Sequence, residues 1–86
     1  MITIKQIIAV EPYKIFCKFS NEEILWVDVS GFVEKYKNNN SSIYQKLADK
    51  AYFKTVTLDS YGTLSWNNEI DFCPDVLYSK AKGKSI

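Results

Sequence analysis

An alternation of apolar and polar residues near the start of the chain limits the fold most strongly. Lys14 and Lys18 stand on one face of the alternating segment, with Phe16 between them. A period of two is typical of an antiparallel strand that buries one face and exposes the other. The pattern therefore predicts a half-buried strand, and its buried face should carry Tyr13, Ile15, Cys17 and Phe19.

Strands are predicted on both sides of this one. The segment from Ile2 to Ala9 carries isoleucines on one face of an alternating pattern, which indicates a first strand. A short polar turn at residues 20–23 separates the second strand from a third, over Ile24 to Val29. Strands two and three should therefore form a hairpin.

Three helical segments are expected after the hairpin. Ser30 is a preferred N-cap residue and precedes a short amphipathic pattern. Ser42 and Gln45 have the spacing of a capping box, and the helix that they open should end near Lys50. Pro74 suits the first position of a last helix of one or two turns, where its missing N–H has no cost.

Two more strands are predicted between the second and third helices, at residues 55–59 and Leu64 to Trp66, with a turn at Tyr61. The element order is then β-β-β-α-α-β-β-α. Because a chain of 86 residues is too short for two cores, we expect one α+β domain over residues 1–78. Its short helices should pack in a second layer on one antiparallel sheet of about five strands. The Lys-rich residues 79–86 are expected to form a flexible tail.

The composition excludes several kinds of chemistry. The chain has 11 lysines but neither arginine nor histidine. Histidine-based catalysis and histidine-ligated metal sites are therefore excluded, as are bidentate guanidinium contacts to phosphate. The formal net charge of +1 provides no general attraction to a polyanion. We expect no cofactor, no metal and no enzymatic activity.

The two cysteines indicate a reducing compartment. Cys17 and Cys73 stand in no metal-ligand spacing, and neither a secretory signal nor a membrane-spanning apolar stretch is evident. We therefore expect a cytoplasmic protein with both thiols free. Cys73 lies at a predicted helix start, where a tolerated substitution is a simpler interpretation than a reactive thiol.

Three aspartates could be assembled into an acid–base or Mg²⁺ site, but helix capping explains them better. Asp28 precedes the first predicted helix, and Asp71 and Asp75 flank the start of the last one. Carboxylates are favoured at such positions because they complement the positive end of a helix. No nucleophile or partner base accompanies them in the sequence.

Three aromatic residues are the candidate partner-contact residues. Trp26 shares a strand face with Ile24 and Asp28, and one face of that strand is expected to be incompletely covered. Tyr61 is expected at the tip of a turn, and Trp66 at a partly open sheet edge. In a small domain most large aromatic residues belong to the core, so a structural role is the alternative for each of them.

Several short motifs occur in order along the chain: Val27-Asp28 before a helix, Leu47 and Phe53 before a strand, a turn at Gly62 before a strand that ends in Trp66, and Asp-Phe-Cys-Pro-Asp-Val-Leu-Tyr at residues 71–78. Together they resemble the small bacterial domain-of-unknown-function family 2442, over nearly the whole chain. The turns differ from the usual family pattern, because Asn21-Glu22 and Asn67-Asn68-Glu69 lack its glycines, and Cys73 replaces a serine.

The resemblance implies a two-layer α+β domain of uncharacterised function. Similar proteins are often encoded beside another very small protein that looks like a toxin–antitoxin partner. Some carry a helix-turn-helix extension, for which the residues after Tyr78 are too few.

These observations favour a non-catalytic protein-interaction module, with the antitoxin-like half of a small bacterial pair as its specific form. The expected partner is another small protein or a second copy of the chain. A nucleic-acid-binding regulator is the alternative, because Lys80, Lys82 and Lys84 could attract phosphate. An enzyme is the least favoured interpretation, since no catalytic constellation is recognisable.

Overall fold

The N-terminal third of the chain forms a three-stranded antiparallel sheet. The computed structural model describes residues 2–83. Strands β1 (Ile4–Glu11), β2 (Lys14–Phe19) and β3 (Ile24–Asp28) pair in the order β1-β2-β3. The predicted hairpin of strands two and three is confirmed. Along β2 the predicted alternation is also confirmed, because its fully buried residues are Ile15, Cys17 and Phe19.

A second three-stranded sheet contains β4 (Thr57–Leu58), β5 (Leu64–Trp66) and β6 (Ile70–Asp71), antiparallel and in the order β4-β5-β6. The prediction of one sheet of about five strands is therefore wrong, although the α+β class, the antiparallel pairing and the short helices are confirmed. A single backbone hydrogen bond of 2.7 Å, from the Ile4 N–H to the Gly62 carbonyl, connects the β4–β5 turn to β1. The two sheets do not merge into one ladder.

The helices begin and end differently from the prediction. The first, α1 (Ser30–Tyr36), has Val29 at its N-cap, so Ser30 is its first helical residue. The carboxylate of Asp28 accepts a hydrogen bond of 2.8 Å from the Ser30 N–H. Aspartate therefore satisfies the helix start, as the capping interpretation of Asp28 expected.

The second predicted helix is divided into a 3₁₀ helix (Ile43–Ala48) and α2 (Lys50–Phe53). Asp49 interrupts the helix because its side chain caps α2, accepting from the Ala51 and Tyr52 N–H groups at 2.9 and 3.3 Å. The Ser42 hydroxyl caps the 3₁₀ helix, but Gln45 donates to the Asn40 side chain at 2.7 Å. The predicted reciprocal capping box is therefore only half formed.

The last helix, α3 (Pro74–Ala81), begins at Pro74 as predicted but continues beyond Tyr78. Residues 79–81, which we expected in the tail, are therefore helical. The extension is stabilised because Tyr78 and Lys82, one turn apart, both reach Glu23, at 2.7 and 2.9 Å. Residues 84–86 of the expected tail, which include Lys84, lie outside the described residues. No helix within residues 2–83 is long and apolar enough to cross a membrane.

The core lies between the two sheets and the helices. The inner face of the first sheet supplies Ile15, Phe19 and Val27, all fully buried. The Phe53 ring of α2 contacts both Tyr13 and Trp66, at centroid distances of 5.3 and 5.5 Å. Other large fully buried side chains are Leu47 of the 3₁₀ helix, Leu64 and Ile70 of the second sheet, and Leu77 of α3.

A type I′ turn folds β6 back onto β5. Asn67 and Asn68 both have positive φ, 55° and 59°, and the Glu69 N–H donates to the Trp66 carbonyl at 2.9 Å. Type I′ turns require positive φ at both central residues, and asparagine tolerates that region better than most residues. The two asparagines therefore replace the glycine that the resemblance led us to expect.

We expect Asn68→Gly to raise the free energy of unfolding by about 0.5 kcal/mol, because glycine adopts positive φ without a Cβ penalty. Asn68→Ala should lower it by about 1 kcal/mol. Urea denaturation followed by tryptophan fluorescence measures both changes. Equal destabilisation by the two substitutions would contradict the assigned turn.

Candidate protein-interaction surface

The outer face of the first sheet carries an exposed apolar group. Phe16, Ile24 and Trp26 form this group, which we call the outer-face patch. Phe16 pairs directly with Trp26 across β2 and β3, and their ring centroids lie 4.8 Å apart with planes inclined by 29°. Ile24 is 48% exposed and Trp26 is 37% exposed. The stacked pair therefore presents a firmly held apolar surface to solvent.

The patch is exposed because the opposite face of the same strands is committed to the core. Val27, between Trp26 and Asp28, is fully buried, and successive side chains of a strand point to opposite faces. Helix α3 covers the inner face, where the Tyr78 ring packs against Phe19 at 5.2 Å. The sequence analysis expected one incompletely covered face of the third strand without assigning it, and the structure places Ile24 and Trp26 on that face.

Lysines frame the patch, and most of their charge is compensated. Lys14 Nζ lies 4.8 Å from the Trp26 ring centroid, in cation–π geometry. Lys18 Nζ lies 3.0 Å from a carboxylate oxygen of Glu22, whose other oxygen is 2.7 Å from Lys5 Nζ. Hydrogen bonds from Lys5 and Lys18, with their positive charge, lower the pKa of Glu22 to about 2.

Tyr61 is exposed as predicted, but it does not belong to the outer-face patch. It lies in the β4–β5 turn and is 84% exposed. The Asp59 carboxylate holds the turn by accepting from the Tyr61 N–H at 2.9 Å. Gly62 has φ of 78°, and a Cβ there would lie only 2.8 Å from the Thr3 Cβ. Tyr61 is thus held beside β1, whereas Trp26 lies on β3 at the opposite edge of the sheet.

Trp66 lies in the core, and the prediction of a partly open edge is wrong for this residue. Its side chain is fully buried, and its indole N–H donates to the Phe53 carbonyl at 2.8 Å. The rings of Phe53 and Phe72 pack around it. The reason is that β5 is the central strand of the second sheet, with β4 and β6 on either side. Trp66 cannot contact a partner from this position.

The cysteines and aspartates have separate environments. Both thiols are free; Cys17 is buried, which raises its pKa to about 12, and Cys73 is exposed. Hydrogen bonds from Ser30 are the main cause of a lowered pKa for Asp28. Within residues 2–83, no three His, Cys, Asp or Glu side chains lie close enough together to hold a metal ion.

A cleft that the sequence analysis did not predict lies between α1 and α3. Its volume is about 440 Å³, and Lys35 and Lys80 stand beside it. Its floor is apolar because Phe32 of α1 contacts Phe72, which precedes α3, edge to face at 5.0 Å, and because Val76 and Leu77 of α3 line it. The sequence signal for it was weak, since these residues are distant in the chain.

The two tryptophans should differ sharply in their effect on stability. We expect Trp66→Ala to lower the free energy of unfolding by about 3–5 kcal/mol, because it leaves a cavity and an unpaired Phe53 carbonyl. Trp26→Ala should cost about 1 kcal/mol or less, since the ring is partly exposed. Urea unfolding monitored by circular dichroism measures both. Similar losses in the two variants would contradict the assignment of Trp26 to the surface.

Acid should weaken the β2–β3 turn through Glu22. Because the pKa of Glu22 is lower in the folded state than its ordinary value of 4.5, its contribution to stability is present above about pH 4.5 and is lost as the pH falls toward 2. An NMR titration of the side-chain carboxyl should show this low pKa, and Lys5→Met or added salt should raise it. A carboxyl that titrates near pH 4.5 in the folded protein would disprove the pairing.

Comparison with known proteins identifies the family. The family model described as "Protein of unknown function (DUF2442)" matches residues 4–83. A search of curated proteins finds no match.

The structure is similar to the crystal structure of a protein from Nitrosomonas europaea, with a TM-score of 0.75 and 25% sequence identity. The name of that protein gives DNA binding as its proposed role. The alignment covers 96% of this chain and 50% of that one, so this chain spans half the length of the Nitrosomonas protein. The chain belongs to the DUF2442 family.

Proposed function

We propose that this chain is a non-catalytic protein-interaction module of the bacterial cytoplasm, and that it binds another small protein through the outer-face patch. The observation that carries the proposal is the stacked Phe16–Trp26 pair on the regular β2–β3 ladder, with Trp26 exposed beside Ile24. Aromatic residues, tryptophan above all, are enriched among the residues that contribute most to protein–protein binding.

The geometry suits a binding surface because little conformational entropy remains to be lost. The Trp26 ring is already restrained on one side by Phe16 and by the Lys14 ammonium group. Side chains that are ordered before binding lose less entropy when a partner arrives. Tyr61, held by its own turn at the other edge of the sheet, is a further contact for a partner that extends beyond β1.

The specific form of this proposal is an antitoxin-like protein that binds a small toxin-like partner. It is supported by the resemblance described above, in which similar proteins are encoded beside a second very small protein. The apolar surface agrees with this role, because an antitoxin of this kind acts by covering its partner rather than by catalysis.

Affinity purification of the tagged chain from its native host, followed by mass spectrometry, tests the proposal. We expect one small protein in near-equal amount, and we expect Trp26→Ala to reduce its recovery at least about tenfold, as for the loss of an interface hot spot. The purified pair should then show the same Trp26 dependence in a calorimetric titration.

Ile43→Ala is the matched control, because Ile43 is similarly exposed, at 41%, but lies on the 3₁₀ helix. It should leave recovery unchanged. Equal recovery with wild-type protein and Trp26→Ala would refute binding through the patch, and recovery of no other protein would refute a stable heterologous partner.

Nucleic-acid binding is the second candidate, and the name of the Nitrosomonas protein favours it. Lys80 in α3 and Lys82 at its C-cap are the residues that would contact phosphate, and Lys82 would exchange its ion pair with Glu23 for that contact. Titration of labelled operator-region DNA at about 50 and 200 mM salt tests this function, because phosphate contacts weaken steeply with salt. Absence of binding at the lower salt would exclude it for this chain, which covers only half of the Nitrosomonas protein.

A further inference from the structure

The backbone of β3 has one side that no strand satisfies. At the two ends of the β2–β3 ladder, the Phe19 N–H donates to the Glu23 carbonyl at 2.8 Å and the Val29 N–H to the Tyr13 carbonyl at 3.0 Å. Hydrogen-bonded and non-hydrogen-bonded pairs alternate in an antiparallel ladder. The odd-numbered residues of β3 therefore bond to β2. The N–H and C=O groups that point away from β2 belong to Ile24, Trp26 and Asp28.

The other sheet edges are irregular or short, whereas β3 is regular over five residues. The pairing of β1 is irregular at two places, and its Ile4 N–H is bonded to the Gly62 carbonyl. Strands β4 and β6 have only two residues each. By contrast β3 has five residues in regular register and contains no proline, lysine or bulge. Proteins use such features to prevent edge pairing, so their absence marks β3 as an edge that is available for it.

Helix α3 packs against β3 more than against the other strands of the first sheet, but within residues 2–83 it makes no backbone hydrogen bond to β3. It packs on the inner face, where Leu77 is fully buried and the Tyr78 ring contacts Phe19. Its polar contacts reach Glu23, which precedes β3. Within residues 2–83, no backbone hydrogen bond outside the strand ladder is made by Ile24, Trp26 or Asp28.

The free edge is complementary to itself. Consider an antiparallel pair in which Trp26 lies opposite Trp26 of a second copy. Ile24 then lies opposite Asp28 of that copy, so that the outward N–H and C=O groups of all three residues find hydrogen-bond partners. This register overlaps all five residues of β3. A two-fold axis passes between the tryptophans, so the assembly closes as a dimer. The stacked pairs then form one row of four rings, Phe16 and Trp26 from each copy, on one continuous face.

The charges permit this approach. Asp28 of the second copy would come close to the turn that contains Glu22 and Glu23. Glu22 is already paired with Lys5 and Lys18, and Glu23 with Lys82. Asp28 itself lies opposite Lys14 in the β2–β3 ladder. Compensated carboxylates repel one another little, so no like-charge contact opposes the register.

From this geometry we infer that the chain forms a dimer in which β3 pairs with β3 of a second copy, and the two first sheets become one six-stranded antiparallel sheet. The inference goes beyond the proposed function, because it adds a second copy of this chain as a partner at the β3 edge. A single strand pair is a small interface, so we expect a dissociation constant on the order of 10 µM.

Sedimentation equilibrium of the full chain between about 1 and 300 µM measures the association directly, a range that brackets the expected constant. We expect monomer at the lower limit and dimer at the upper limit. Amide hydrogen exchange should show Ile24 and Trp26 becoming protected as concentration rises, while Leu25, whose N–H faces β2, stays unchanged. A monomer throughout, or a dimer without this protection, would overturn the inference.

A pair of substitutions at one position separates edge pairing from contact between faces. Ile24→Pro removes an outward N–H and no hydrogen bond to β2, whereas Ile24→Thr keeps that N–H and reduces the apolar side chain. We expect Ile24→Pro to weaken dimerisation at least about tenfold and Ile24→Thr to change it less than about threefold. Equal weakening would overturn pairing through the edge. The exchange measurement on the unmodified chain decides the question if Ile24→Pro does not fold.

The two proposals can fail separately. If the chain stays monomeric but still captures a different protein in a Trp26-dependent way, β3 self-pairing is wrong and the proposed function stands. If it dimerises through β3 and no other protein depends on Trp26, self-pairing stands and the heterologous partner is wrong.

Discussion

The alternation of side chains along β2 and β3 couples the core of this protein to its candidate binding surface. With α3 and the second sheet on one side only, the positions of Ile15 and Val27 are buried and those of Phe16 and Trp26 must face solvent. A shift of either strand by one residue would exchange the two faces completely. The free energy that orders the core therefore also maintains the exposed aromatic pair.

The second sheet contributes Trp66 to the core, opposite the buried face of the first sheet. Its indole N–H satisfies the last carbonyl of α2, and its ring packs between Phe53 and Phe72. One side chain thereby connects β5, α2 and the segment that leads into α3. The two tryptophans of the chain consequently have opposite environments, since Trp66 is buried in the core and Trp26 is exposed on the outer face of the first sheet.

The backbone groups and the side chains of β3 both support the proposed interaction role. The side chains supply a restrained aromatic surface, and the outward N–H and C=O groups supply a template for another strand. Membership of the DUF2442 family adds no activity, because that family is described as one of unknown function. The Nitrosomonas protein shares this fold over half of its own length.

The sequence by itself determined the hairpin, the buried face of β2 and the start of α3 at Pro74, because each depends on a local period or on the geometry of one residue. Tertiary structure alone decided that the strands divide into two sheets. Strand β6 is too short for any period, and positive φ at Asn67 and Asn68 folds it onto β5. That pairing makes β5 a central strand and buries Trp66, and this depends on neighbours that no local pattern around Trp66 reveals.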